Sequence, residues 1–189
     1  MSHTANGSGW LAIFERGVRW GLRHWLRVVN LLLLVYAGLP WLSPLAFAAG
    51  YPLLGRILFW IYTPLCHQIS DRSFFVYGYQ VAFCHRDVAL YTTLLAGGLA
   101  FGFVRERLQP IPFWAGGLLT IPILLDGGSH MLEDVIQLGL RSGGNDIGTP
   151  NFWLRIITGI LFGLAVVLTA YPRLDRDLRR SSFNGAAAL

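Results

Sequence analysis

Four apolar runs, each about 20 residues long and bounded by arginine, proline or glycine, constrain this chain more than any other feature. A run of that length matches the hydrocarbon thickness of a bilayer, so lipid is the solvent of the fold. Inside lipid every backbone N–H and C=O must find a partner within the chain, which predicts α-helices. The expected fold is an all-α integral membrane protein, a four-span helical bundle, with spans at about 28–49, 87–104, 110–129 and 152–171. Pro40 and Pro44 are expected to kink the first span or end its regular part early. Ala46-Phe47-Ala48 looks like a signal-peptidase site. The basic region before it is too long for an ordinary signal peptide, so the first span reads as an uncleaved anchor.

The charged fraction is 13%, about half that of a soluble domain. All 15 basic residues are arginine, and the formal net charge is +5. In a soluble domain that excess would point to nucleic acid. Here the arginines gather at the ends of apolar runs. Orientation against anionic lipid accounts for them, the expected partners are membrane lipids, and no nucleic acid is expected.

Residues 1–27 read as a tail plus an amphipathic helix in the headgroup layer. Trp10, Phe14, Val18, Leu22 and Trp25 recur at helical spacing, opposite Glu15, Arg16, Arg19, Arg23 and Arg27. The alternative is a soluble extension of the first span. The apolar stretch at 51–63 carries Arg56 and is too short to cross, so a short interfacial helix is expected there. Ser70 to Phe83 reads as a loop with headgroup-zone aromatics. Residues 28–172 form the membrane domain and 173–189 a basic cytoplasmic tail.

Positive charge stays in the cytoplasm. With an inside N-terminus and four crossings, Arg16–Arg27, Arg105 with Arg107, and Arg173–Arg180 all fall on that side. A multi-pass cell-membrane protein with both termini cytoplasmic is therefore expected. The same arrangement gathers the Cys66–Asp87 region with Asp126, His130, Glu133, Asp134, Arg141 and Arg155 at the extracytoplasmic face. Asp126, His130, Glu133, Asp134 and Gln137 fall close to one helical face.

The chain's 2 cysteines lie in Cys66-His67 and Cys84-His85. One reading is a metal centre drawing on Cys66, His67, Cys84, Asp87 and His130. Sulfur, nitrogen and oxygen donors suit tetrahedral zinc or another transition metal. Cys84 and Asp87 are one helical turn apart. Adjacent Cys66 and His67 are less comfortable together, so His85 or His130 can stand in for His67. A second reading is a Cys66–Cys84 disulfide closing the Gln68–Phe83 loop, worth roughly 3 kcal/mol. A third is a pair of buried free thiols acting as small apolar residues.

Two further functions stay open. A membrane-edge enzyme acting on a lipid head group would use His67 or His130 as base beside Asp126 or Asp87. Arg72, Arg86, Arg141 and Arg155 would then hold the phosphate. Set against it is an arginine–carboxylate network that locks helix ends. A structural subunit of a larger membrane complex needs no chemistry at all. Gly97-Gly98, Gly116-Gly117 and the Gly159–Gly163 GxxxG suit close helix packing or self-association.

Pro64-Leu65-Cys66-His67-Gln68, Asp71-Arg72-Ser73-Phe74, Gly78, Gln80 and Cys84 resemble the prokaryotic membrane-protein family known as domain of unknown function 2085. Asp126-Gly127, Arg141-Ser142, Arg155 and Thr158-Gly159 look like its later motifs. The resemblance covers roughly 53–171. It implies a shared architecture and site, but no reaction. The family's pattern has a further cysteine where this chain has Asp87. A Cys-His-Cys-Cys metal set there would offer one thiolate fewer and one carboxylate more here.

Overall fold

The computed structural model describes residues 7–136 and 144–186. The helices are α1 (Gly7–Arg23), α2 (Trp25–Ala48), α3 (Pro52–Trp60), α4 (His85–Val104), α5 (Phe113–Ile136) and α6 (Pro150–Ala186). Between α3 and α4 stand strands β1 (Ser73–Val76) and β2 (Tyr79–Cys84), preceded by a 3-10 turn at Ser70–Arg72. Gln137 and Arg141, with the side chain of Asp134, lie outside the described residues.

Three of these helices are long and apolar enough to cross a membrane: Trp25–Ala48, His85–Val104 and the Pro150–Arg180 part of α6. Leu31, Leu32, Leu34 and Val35 of α2 are exposed in a block, a surface suited to lipid rather than water. Four spans were expected. α5 has 24 residues, enough in length, but Asp126, His130 and Glu133 dilute its C-terminal half. α6 does not stop at the fourth apolar run. It continues through buried Pro172 into the arginine-rich segment and reaches 37 residues.

α2 likewise runs through Pro40 and Pro44, both buried, instead of ending at them. Proline has no N–H, so Pro40 leaves the Tyr36 carbonyl without its intrahelical donor. The Tyr62 hydroxyl donates to that carbonyl at 2.9 Å. Ser43 Oγ donates to the Gly55 carbonyl at 3.0 Å. These two bonds fold the short helix α3 and the turn after it back against α2.

The expected loop at 70–83 is a β-hairpin, so the fold is not purely α. Val76 pairs with Tyr79 and Phe75 with Gln80, antiparallel. The connection is Tyr77-Gly78, with φ of 52° and 79°. Positive φ at both central residues is the primed turn that matches strand twist. Phe75, Tyr77 and Tyr79 are exposed, as headgroup-zone residues would be, while the end of β2 packs inward. Phe83 is 1% exposed and meets Tyr62 edge-on at 4.7 Å.

Glycines let α4 and α6 touch. A Cβ on Gly159 would sit 2.6 Å from the Arg86 carbonyl oxygen, and one on Gly163 would sit 2.8 Å from Thr93 Cβ. The GxxxG is thus used inside the chain. At the far end of the bundle, Asp175 is 3% exposed. It accepts from Trp25 Nε1 at 3.1 Å and Arg179 Nε at 2.9 Å, and pairs with Arg105. That carboxylate clasps α2, α4 and α6.

Candidate metal centre

The turn after α3 presents the first thiol. Pro64 stops the helix, and the Cys66 N–H donates to the Tyr62 carbonyl at 2.9 Å. β2 delivers the second, because Cys84 ends the strand and caps α4. Its extended φ and ψ of −70° and 160° place it just outside the helix. Asp87 follows in the first turn of α4.

Gln68 holds these pieces in register. It has φ of 50°, a left-handed conformation that costs a non-glycine residue about 1 kcal/mol or more. Its side-chain NH₂ donates to Phe59 O at 2.7 Å and Ala82 O at 3.2 Å. Gln80 Nε2 donates to the Gln68 carbonyl at 2.8 Å and to Ser73 Oγ at 3.1 Å. The amide side chains of Gln68 and Gln80 thus brace the hairpin against the cysteine turn. Their positioning role was missed in the sequence, where they entered only as letters of the resemblance. Gln68 bonds carbonyls of residues 9 and 14 positions away, and no local pattern announces that.

Both cysteines are free thiols. Their sulfurs lie 3.0 Å apart, and the Cys84 N–H points at Cys66 Sγ at 3.3 Å. That spacing exceeds the S–S bond of about 2.05 Å. It falls short of the roughly 3.5 to 4 Å edge of a tetrahedral zinc site. One donor atom each from Cys66, Cys84 and Asp87 lies within 4.8 Å of the others. The hydrogen bond from Cys66 lowers the Cys84 thiol to about 6, against the opposing effect of burial. Cys66 moves up, first because it donates to Cys84, then by burial and the neighbouring Asp87. The pair loses its first proton easily and its second with difficulty.

The other named donors stand outside that three-donor group. His67 is exposed and lines a cavity that Cys66, Cys84 and Asp87 also line. His130 lines the cavity too, but its Nε2 accepts from Arg155 Nη2 at 3.0 Å. His85 is buried edge-on between Phe74 at 4.5 Å and Phe152 at 4.9 Å, in an aromatic seat rather than a ligand set.

A chain of charge and hydrogen bonds joins α4, α5 and α6 beside the thiols. Arg86 Nη2 pairs with Asp126 Oδ2, which also accepts from Thr158 Oγ1 at 3.4 Å. His130 Nε2 stands 3.8 Å from Asp126 Oδ1, and Arg155 Nη2 reaches on to Asn145 Oδ1 at 2.6 Å. Asp126, His130 and Arg155 are 4%, 6% and 2% exposed. Burial at this level is tolerated only with such pairing. Between this network and the thiols lies a cavity of about 510 Å³, with Arg72 also in its lining.

Residues 66–169 match the family described as "Predicted membrane protein (DUF2085)". The chain belongs to this family. It is also 32% identical over 117 residues to the uncharacterized protein MJ1492 of Methanocaldococcus jannaschii, an alignment covering 61% of this chain and 67% of that one. No solved structure matches. The matched DUF2085 segment starts at Cys66 and includes Cys84, Asp87, Asp126, His130 and Arg155. The Trp25–Asp175 clasp falls outside it.

Proposed function

We propose that this DUF2085 protein is a small multi-pass membrane protein whose cavity binds a transition metal, zinc foremost, through Cys66, Cys84 and Asp87. The observation that carries the reading is the convergence of two free thiols and a carboxylate within 4.8 Å. Thiolates and carboxylate together suit a borderline-soft ion. Parting the sulfurs by roughly 0.5 to 1 Å would make a tetrahedral edge. His67, in the cavity lining, is the candidate for a fourth ligand. His130 is already committed to Arg155, which favours a locking role for it over that of a base.

In this reading α5 is the fourth crossing, both termini are cytoplasmic and the cavity opens on the outer face. The three arginine clusters then share the cytoplasmic side. A reporter-fusion map tests this: Gly78 and Gly143 should report the extracytoplasmic side. Opposite sides for the two would break the topology.

Metal content of the detergent-purified protein tests the site. About one equivalent is expected in the wild type, little in Cys84→Ser and a reduced amount in Asp87→Asn. Equal content in all three would remove these residues from any ligand set. A disulfide is the second reading, favoured by the 3.0 Å approach of the sulfurs. Thiol labelling that requires reductant would support it over the ion.

A further inference from the structure

We propose that the arginine wall of the same cavity seats the phosphate of a membrane lipid, with its acyl chains lying across Leu65, Met131 and Val135. The site shares the cavity with the proposed ion but uses a different set of residues.

The lining is divided. Among the described residues it contains three guanidinium groups, Arg72, Arg86 and Arg155, and one carboxylate, Asp87. Asp126 pairs with Arg86 from outside the lining, and Arg155 also bonds His130 and Asn145, so two of the three guanidinium groups are already held in place. Guanidinium forks match phosphate oxygens in geometry as well as charge. Room for one of them is kept by Gly127, where a Cβ would come within 3.3 Å of Arg86 Nη1. The cavity volume of about 510 Å³ lies inside the roughly 300–1,000 Å³ range of small-molecule sites.

The rim has the opposite character. Leu65, Met131 and Val135 line the cavity yet are 62%, 65% and 76% exposed. Met131 and Val135 are one turn apart on α5, so they form a continuous apolar strip. A free anion would use the guanidinium groups and leave this strip bare. A phospholipid uses both, with its phosphate inside and its chains on the face turned to the bilayer. Ionisable groups at membrane depth are costly, and those that face a cavity mark substrate or ion sites.

The test is calorimetric titration of the full chain in maltoside detergent with dioctanoyl phosphatidic acid, dioctanoylglycerol and inorganic phosphate. Saturable binding of the phosphatidic acid alone is expected. Arg72→Gln should weaken it about tenfold or more, the loss of one charge-assisted contact. Met131→Glu should weaken it similarly, and its exposed position spares the fold. Size-exclusion elution checks that both variants remain folded. Cys84→Ser should lose metal but keep the lipid, so failure of the ion and failure of the lipid site are read separately. Equal binding of dioctanoylglycerol would reduce the effect to apolar adsorption and overturn the proposal. Binding of inorganic phosphate as tight as that of the lipid, unchanged by Met131→Glu, would overturn it in favour of a free-anion site.

Discussion

Cys66 and Cys84 are 18 residues apart in the chain, yet their sulfurs lie 3.0 Å apart on one wall of the cavity. A β-hairpin closes the distance, and Gln68 fixes its register. The thiols therefore act as a pair, and several consequences can be measured.

The Cys84 thiol is pulled from 9.0 down to about 6, chiefly by the proton that Cys66 donates. Because the folded value is depressed, the associated stability is fully present above the unfolded value and fades as pH falls through about 6. In chelator-treated protein, alkylation of Cys84 by iodoacetamide should be half-maximal near pH 6. Cys66→Ser should move that midpoint upward. A wild-type midpoint near 9.0, the ordinary value it is pulled from, would deny the coupling.

Gln68→Ala should lower stability by about 2 kcal/mol, since it removes the amide's bonds to the Phe59 and Ala82 carbonyls, of which Phe59 O keeps the Tyr62 N–H at 3.2 Å. Gln68→Gly loses the same bonds but accepts the 50° φ without strain, so it should be milder by about 1 kcal/mol. Thermal unfolding in detergent ranks the two. The reverse order would mean that the turn is not strained.

Removing the charge of Asp175 strands Arg105 and Arg179 beside a buried site. Asp175→Asn should cost about 3 kcal/mol in thermal unfolding. Its metal content should stay at the wild-type level, because the clasp lies at the other end of the bundle. Adding Arg105→Gln should recover part of the loss, a coupling that a double-mutant cycle reads directly.

Gly159→Val should push α6 off the Arg86 carbonyl, a backbone atom that cannot swing away. A stability cost of about 1–3 kcal/mol and a loss of metal are expected together, since Arg86 adjoins Asp87. Gly17→Val, with open space around its Cβ, is the control and should do neither.

The helical elements were legible in the sequence because hydropathy alone reports a long apolar run. The ends of those runs were not. Pro172 and the arginines after it look like a stop, yet α6 continues through them, since Arg173 donates back to Thr169 O at 2.6 Å and to Ile111 O at 2.7 Å. The hairpin was hidden because Val81, Ala82 and Phe83 are all buried, which erases the alternation that marks a strand. Of the candidate donors, Cys66, Cys84 and Asp87 were readable from residue type and spacing. His67 and His130 were not separable from them, because the Arg155 bond that engages His130 spans 25 residues. Arg141 lies outside the described residues.

X-ray absorption at the zinc edge of the zinc-loaded, full-length protein is the most direct measurement. Two sulfur scatterers at about 2.3 Å with oxygen or nitrogen at about 2.0 Å are expected, falling to one sulfur in Cys84→Ser. A first shell of oxygen and nitrogen alone, unchanged by that substitution, would contradict a metal held between Cys66 and Cys84.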